Sequence, residues 1–168
     1  MEVRELGAAD AEEYWRLRLE ALMLSPEAFA TSYEEAVKRK NPIEQVKENF
    51  SVNGSHTFGA FLDGVLVGIV TLVQESHKKM SHKANIFAMY VTSRRRGKGT
   101  GKALMEAAIQ KAKDMKEIEK VNLTVVSSNE RAKRLYSSLG FVSYGTETRA
   151  LQVGGVFYNE DHMELFLK

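Results

Sequence analysis

The run Arg94-Arg95-Arg96-Gly97-Lys98-Gly99-Thr100-Gly101-Lys102 brings five basic residues, three glycines and no acidic residue into one short stretch. It follows an apolar, strand-like segment, Ile86 to Val91. It opens a segment whose apolar residues Leu104, Ala107, Ala108, Ala112 and Met115 fall at helical spacing. The first N–H groups of a helix lack intrahelical partners and the macrodipole adds partial positive charge there, so main chain alone can hold a phosphate if no side chain blocks it. Glycines at 97, 99 and 101 remove those side chains. Five cations beside them suit a ligand with several phosphates, some held on amides and some on guanidinium and ammonium groups. Arg96, Gly97, Lys98, Gly99, Thr100, Gly101 and Lys102 are therefore candidate binding residues for a polyphosphorylated cofactor.

Two common phosphate loops do not match this spacing. A Walker loop needs Gly, four residues and then Gly-Lys-Ser/Thr, and the dinucleotide fingerprint needs Gly-x-Gly-x-x-Gly, whereas these glycines read Gly-x-Gly-x-Gly. The stretch does resemble the acetyl-CoA loop of the GNAT superfamily of N-acetyltransferases, Gln/Arg-x-x-Gly-x-Gly/Ala, at Arg96, Gly99 and Gly101. A second segment strengthens the resemblance: Asn129-Glu130-Arg131-Ala132-Lys133-Arg134-Leu135-Tyr136-Ser137-Ser138-Leu139-Gly140-Phe141 is similar to the family's Asn-x-x-Ala-x-x-x-Tyr-x-x-x-Gly-Phe, in the right order after the loop. Asn129, Ala132 and Tyr136 share one helix face.

The resemblance implies acetyl-CoA as cofactor and acetyl transfer to a primary amine by direct attack. In the family pattern, Asn129 hydrogen-bonds the pantetheine arm and Tyr136 points its phenol at the thioester sulfur as the acid. Main-chain groups of the strand around Met89, Tyr90 and Val91 pair with pantetheine and polarise the thioester carbonyl. An amine with a reference pKa near 10.4 must lose a proton before it attacks, and the departing thiolate, pKa about 8.5, benefits from gaining one. Histone-acetylating members carry a glutamate base on the strand before the loop, but the matching position here is Asn85, which takes no proton at neutral pH. Glu75, His77 and His82, near strand ends, are the alternative bases, with a surface position the competing reading for each, and a water chain to bulk is preferred over any of them.

The family's acceptor pocket is built by the segment between the first two helices and by the last hairpin, here Ser25 to Asn41 and about Thr148 to Tyr158. Phe29 and Tyr33, with Asn85, are the candidate substrate contacts, and Glu27, Glu34 and Glu35 nearby suit a cationic amine. Phe29 as core and Glu34 and Glu35 as a solvated face is the competing reading. Small amines, amino acids, aminoglycosides, polyamines and protein or peptide N-termini all remain open as acceptors. Two rival functions stay in play beside the enzyme: an acyl-CoA-binding sensor without turnover, which needs no acid at Tyr136, and a nucleotide-binding or structural domain.

Composition limits the partners. A net charge of +2 is too small for a nucleic-acid surface, and the basic residues concentrate at one loop. With no cysteine, disulfides, thiolate zinc sites and a cysteine acyl-enzyme are excluded. His56, His77, His82 and His162 are scattered without ligand spacing, so no metal is expected. The longest apolar run, Val65 to Val70, is far short of the ~20 residues of a membrane helix. Met1 to Glu5 has neither a basic nor an apolar leader region, and the expected location is the cytoplasm. A homodimer is left open.

The elements that must position these residues follow from periodicity and caps. Residues 1–168 are expected to form one N-acetyltransferase-type domain. Val3 to Leu6 reads as a strand, and Asp10-x-x-Glu13 as a capped helix start running to about Leu24, broken by Ser25-Pro26. An irregular stretch follows. Asn41-Pro42 opens a helix through about Phe50. Thr57 to Leu62 and Val65 to Glu75 flank Asp63-Gly64 as a hairpin, and Ala84 to Thr92 feeds the basic loop. Lys120 to Val126 is a strand, and Ser127-x-x-Glu130 has the form of a capping box for a helix stopped by Gly140. Phe141 to Val153 and Val156 to Leu167 form a last hairpin around Gly154-Gly155. The order β-α-α-β-β-β-α-β-α-β-β predicts an α/β (α+β) fold, a mixed, mostly antiparallel, twisted sheet with helices on both faces, which is also the GNAT order.

Overall fold

In the computed structural model, which describes residues 1–168, seven strands form one sheet: β1 (Glu2–Glu5), β2 (Ser55–Leu62), β3 (Val65–Gln74), β4 (Lys83–Val91), β5 (Lys120–Val126), β6 (Val142–Val153) and β7 (Val156–Phe166). Their order is β1-β2-β3-β4-β5-β7-β6, and every neighbouring pair is antiparallel except β4 with β5. Five helices, α1 (Ala11–Leu24), α2 (Tyr33–Val37), α3 (Pro42–Phe50), α4 (Thr100–Asp114) and α5 (Glu130–Ser138), complete the fold. Both expected hairpins form. Asp63 and Gly64, like Gly154 and Gly155, all have positive φ, the backbone a two-residue turn needs to match strand twist.

The two sheet faces bury different helices. Leu104, Met105, Ala108 and Ala112 of α4, with Tyr136 of α5, pack against Val70, Leu72, Ala84, Ile86 and Val121. Leu17 and Ala21 of α1 meet Leu66, Ile69 and Tyr90 on the opposite face. Leu104 and Leu17 are fully buried, each stabilising by roughly 1.5–3 kcal/mol relative to exposure.

Three helix starts differ from their expected form. α2 lies in the stretch expected to be irregular. It is too short for periodicity to show, yet Ser32 and Glu35 cap it reciprocally: Ser32 Oγ accepts from the Glu35 N–H at 3.1 Å, and Glu35 Oε2 from the Ser32 N–H at 2.8 Å. Asp10 precedes α1 but does not cap it, because its carboxylate takes the Arg4 guanidinium at 2.7 and 2.9 Å and the Gly7 N–H. Ser127 does not cap α5 either. Its hydroxyl donates to Asp161 Oδ1 at 2.6 Å, and Asn129 caps instead, Oδ1 accepting from the Ala132 N–H at 3.1 Å. The reason is energetic: Asp161 is buried, and a carboxylate out of water costs more unsatisfied than a helix end does. Hydrogen bonds from Ser127, Lys133 and Thr146 hold its pKa at about 2.

One departure from regular pairing shapes everything that follows. β4 and β5 pair only from Lys83–Lys120 to Asn85–Asn122, and beyond that rung they separate. Near the same point the β3–β4 register shifts and Ala88 takes φ +53, a left-handed conformation that costs a non-glycine residue roughly 1–2 kcal/mol. The remainder of β4 therefore runs with its β5-facing edge unpaired.

Candidate functional site

A cavity of about 1280 Å³ occupies the gap between the separating strands, and its wall joins the basic loop, β4, α5 and the C-terminal hairpin. At one end stands the loop. Gly97 and Gly99 have φ +74 and +83, and Gly99 is the residue that opens α4. None of the N–H groups of residues 97–102 makes a protein hydrogen bond; the ladder resumes with the Ala103 N–H to the Gly99 carbonyl at 3.0 Å. A run of free amides at a helix N-terminus, two of them turned by left-handed glycines, is a nest for an anion. A side chain at Gly99 would project into open space, while a Cβ at Gly97 would lie 3.0 Å from the Arg131 guanidinium.

Charge around the nest is arranged unequally. Arg96, Lys102 and Arg131 line the cavity, whereas Arg94, Arg95 and Lys98 do not, and the Thr100 side chain is buried beneath the loop. Lys98 and Thr100, expected among the binding residues, thus stand outside the cavity lining, which Gly97, Gly99, Gly101 and Lys102 supply from this segment. Arg96 is pinned: its Nε donates to the Val91 carbonyl at 2.9 Å and its guanidinium lies 5.5 Å from the centre of the Tyr90 ring. Arg131 was not among the sequence candidates. Its signal is only its place two residues after Asn129, facing a loop that the sequence does not show to be adjacent.

Along the cavity, Met89, Tyr90 and Val91 present the unpaired edge of β4. The Tyr90 phenol is committed elsewhere, donating to Glu20 Oε1 at 3.0 Å; burial, then Glu20, pushes it up to about 12. Gly101 faces Met89 and Leu135, each 3.2 Å from an added Cβ, so α4 and α5 approach the strand closely. Asn129 spends Oδ1 on the α5 cap, which leaves its NH₂ free to donate into the cavity that it and Ala132 line.

Tyr136 is 7% exposed, and no protein group hydrogen-bonds its hydroxyl; burial alone pushes the phenol up to about 12. Its position is set by the helix stop. Gly140, at φ +97, lets its own N–H reach the Ser137 carbonyl and the Phe141 N–H reach the Tyr136 carbonyl, both at 3.1 Å. That turn brings the Phe141 ring edge-on to Tyr136, with centroids 6.1 Å apart. The Gly-Phe pair after the helix thus fixes the tyrosine in the cavity wall.

The far end is mixed in charge. Asn85 Nδ2 donates to Glu75 Oε1 at 2.8 Å, and both line the cavity, unlike His77 and His82. Glu147 and Glu160 face each other across β6 and β7, with His162 Nε2 3.7 Å from Glu147 Oε2; burial, then Glu147, raises the Glu160 pKa. All three line the cavity just outside the expected hairpin segment, which carried no chemical pattern of its own. Phe29 lines it too, whereas Tyr33 lies in a separate hollow of about 460 Å³ between the α1–α2 segment and the last hairpin.

Comparison with known proteins yields consistent likenesses. The Acetyltransferase (GNAT) family model matches residues 18–141. The L-amino acid N-acetyltransferase AaaT of Escherichia coli is 29% identical over 104 residues, 62% of this chain; the match spans 64% of that relative's length. The acetyltransferase of GNAT family from Streptococcus pneumoniae superposes with a TM-score of 0.87 at 24% identity, covering 99% of each chain. The yncA structure from Salmonella typhimurium, solved with its cofactor acetyl-CoA, gives 0.87 at 19% identity, covering 100% of this chain and 94% of that one. At those identities the structural likenesses establish the fold. No helix is long and apolar enough to cross a membrane.

Proposed function

The chain belongs to the Acetyltransferase (GNAT) family, and we propose that it transfers acetyl from acetyl-CoA to a primary amine by direct attack in a ternary complex. One observation carries the reading: a single cavity is lined by Gly97, Gly99, Gly101 and Lys102 of the free-amide segment, by the unpaired edge of β4 and by the partnerless phenol of Tyr136. Acetyl-CoA, when bound, supplies the activated acetyl thioester. The amides of Gly97, Gly99, Gly101 and Lys102, with the Lys102 and Arg131 side chains, would hold the phosphates. The Asn129 NH₂ and the β4 edge would hold the pantetheine, and N–H groups of that unpaired edge would polarise the thioester carbonyl. With acetyl-CoA bound, the Tyr136 hydroxyl would be the group that gives the thiolate sulfur its proton. A sensor of acyl-CoA has no use for that buried donor.

The acceptor ammonium must release its proton at the other end of the cavity. Asn85 takes none, but it holds Glu75 in the wall, and Glu160, whose pKa is raised by burial and then by Glu147, stands on β7. Water relays to these carboxylates remove the proton without a dedicated base. The acceptor is an amine of small or peptide size, and the name of the Escherichia coli relative puts amino acids first in the assay. The test is an acceptor panel with release of free CoA thiol as the readout; acetyl-CoA binding without thiol release on any amine would sink the enzyme reading.

The cationic residues divide into two groups with different expected effects. Neutralising Lys102 and Arg131, as Lys102→Gln and Arg131→Gln, weakens CoA binding roughly tenfold or more, with a marked salt dependence, and leaves saturated turnover nearly intact. Neutralising Arg94 and Arg95, which lie outside the cavity wall, has a smaller effect. Equal losses from both pairs, or a fall in turnover at unchanged affinity, contradict this division.

A further inference from the structure

We propose that Arg18 anchors a carboxylate on the acceptor, so that the amine acetylated here is a free amino acid. The proposal rests on the acetyltransferase reading for the amine, and on Arg18 itself for the acid. Arg18 stands on α1 in the wall of the cavity, with its guanidinium 4.5 Å from the centre of the Phe29 ring. It makes no ion pair, and its Nη1 is sealed from water with no hydrogen-bond partner. Burial lowers its pKa, and the titratable groups that act on it are the Tyr14 phenol and a second cation, Arg39, with no carboxylate among them. A desolvated guanidinium is costly unless something pairs with it, and nothing in the protein does.

The other sealed polar atom without a partner, Asn122 Oδ1, belongs to the same cavity wall, on the last paired rung before β4 and β5 separate. The two sealed atoms are themselves closed off, but both residues line the cavity an acceptor must enter. Glu147 and Glu160 supply negative charge from a different wall, on β6 and β7. A cavity with an unpaired guanidinium on one wall and carboxylates on another is complementary to a zwitterion, its carboxylate toward Arg18 and its ammonium toward Asn122 and the acidic pair. The guanidinium lies against Phe29 in the cavity wall, and a planar fork of N–H donors is the group that recognises a carboxylate best.

The test compares kcat/KM for free amino acids, for their primary amides and for the corresponding decarboxylated amines, at saturating acetyl-CoA, in wild type, Arg18→Gln and Arg18→Lys. Wild type prefers the free acid over both analogues by at least about tenfold, chiefly through KM. Arg18→Gln erases the preference and leaves the thermal shift with acetyl-CoA unchanged, and Arg18→Lys restores part of it. Amides or decarboxylated amines used as well as the acids by wild type overturn the proposal, and the wild-type panel decides this even where a variant does not fold. A preference that survives in folded Arg18→Gln overturns it equally. If no acid is acetylated while other amines are, the carboxylate anchor fails and the acetyltransferase reading stands; if acetyl-CoA does not bind at all, that reading falls first.

Discussion

Tyr136→Phe is expected to lower saturated turnover by about 10²-fold or more, about 2.7 kcal/mol in the barrier, while the affinity for acetyl-CoA changes little. The substitution keeps the ring, its edge-on packing on Phe141 and the Gly140 turn that positions it. It removes only a hydroxyl that has no protein hydrogen bond to lose. A packing role therefore predicts almost no kinetic effect, and a donor role a large one. An acetyl donor with a better leaving group should recover part of the loss, since it needs the proton least. Burial also sets the pH range: a phenol pushed up to about 12 stays protonated through neutral and moderately alkaline pH, and its acid form is lost only as pH rises toward 12. The kcat profile of wild type should show no alkaline fall near pH 10, where a solvated tyrosine ionises. Asn85→Ala gives the contrast. Asn85 steadies Glu75 but takes no proton itself, so its loss should cost much less. Full activity of Tyr136→Phe on the true acceptor removes the tyrosine acid from the mechanism.

The parts of the site legible in the sequence were those built within one local stretch. The nest is a sequence feature because glycines at 97 and 99 must take left-handed backbone just before α4, and the spacing of Leu104, Ala108 and Ala112 shows where the helix faces. Tyr136 is legible for the same reason, since Gly140 and Phe141, which fix it, follow it within one turn. What escaped depends on distant partners. Ser127 looks like a cap until Asp161, far along the chain, claims its hydroxyl. Arg131 matters only because α5 packs beside the loop, and Glu75 only because β3 pairs with β4 and sets it against Asn85. The Ala88 bulge, which opens the cavity, has no residue type to announce it, for alanine is a poor choice at positive φ. Tyr33 opens α2, a helix too short for periodicity to announce, and therefore lies in a neighbouring hollow rather than in the main cavity.

Acetyl-CoA is expected to raise the melting temperature of the wild-type protein, and Gly99→Glu is expected to abolish the shift. A ligand that binds only the folded state at a hundred times its Kd stabilises by about 2.7 kcal/mol, which for a domain of this size is roughly 5–10 °C. The glutamate places a carboxylate in the open space before the free amides of residues 97–102, where it repels phosphate and competes for the same donors. Because Gly99 has φ +83, any side chain there adds backbone strain, so Gly99→Asn is the control: asparagine tolerates left-handed backbone and carries no charge. Gly101→Glu should also abolish binding, but its Cβ meets Met89 and Leu135 at 3.2 Å, so part of its effect falls on packing between α4 and α5. The decisive comparison is therefore at 99. Asparagine should retain a measurable shift and glutamate none, since both share the strain and only one brings the charge. A folded Gly99→Glu that responds to acetyl-CoA like wild type would place the phosphates elsewhere and dissolve the link between the nest and the cofactor.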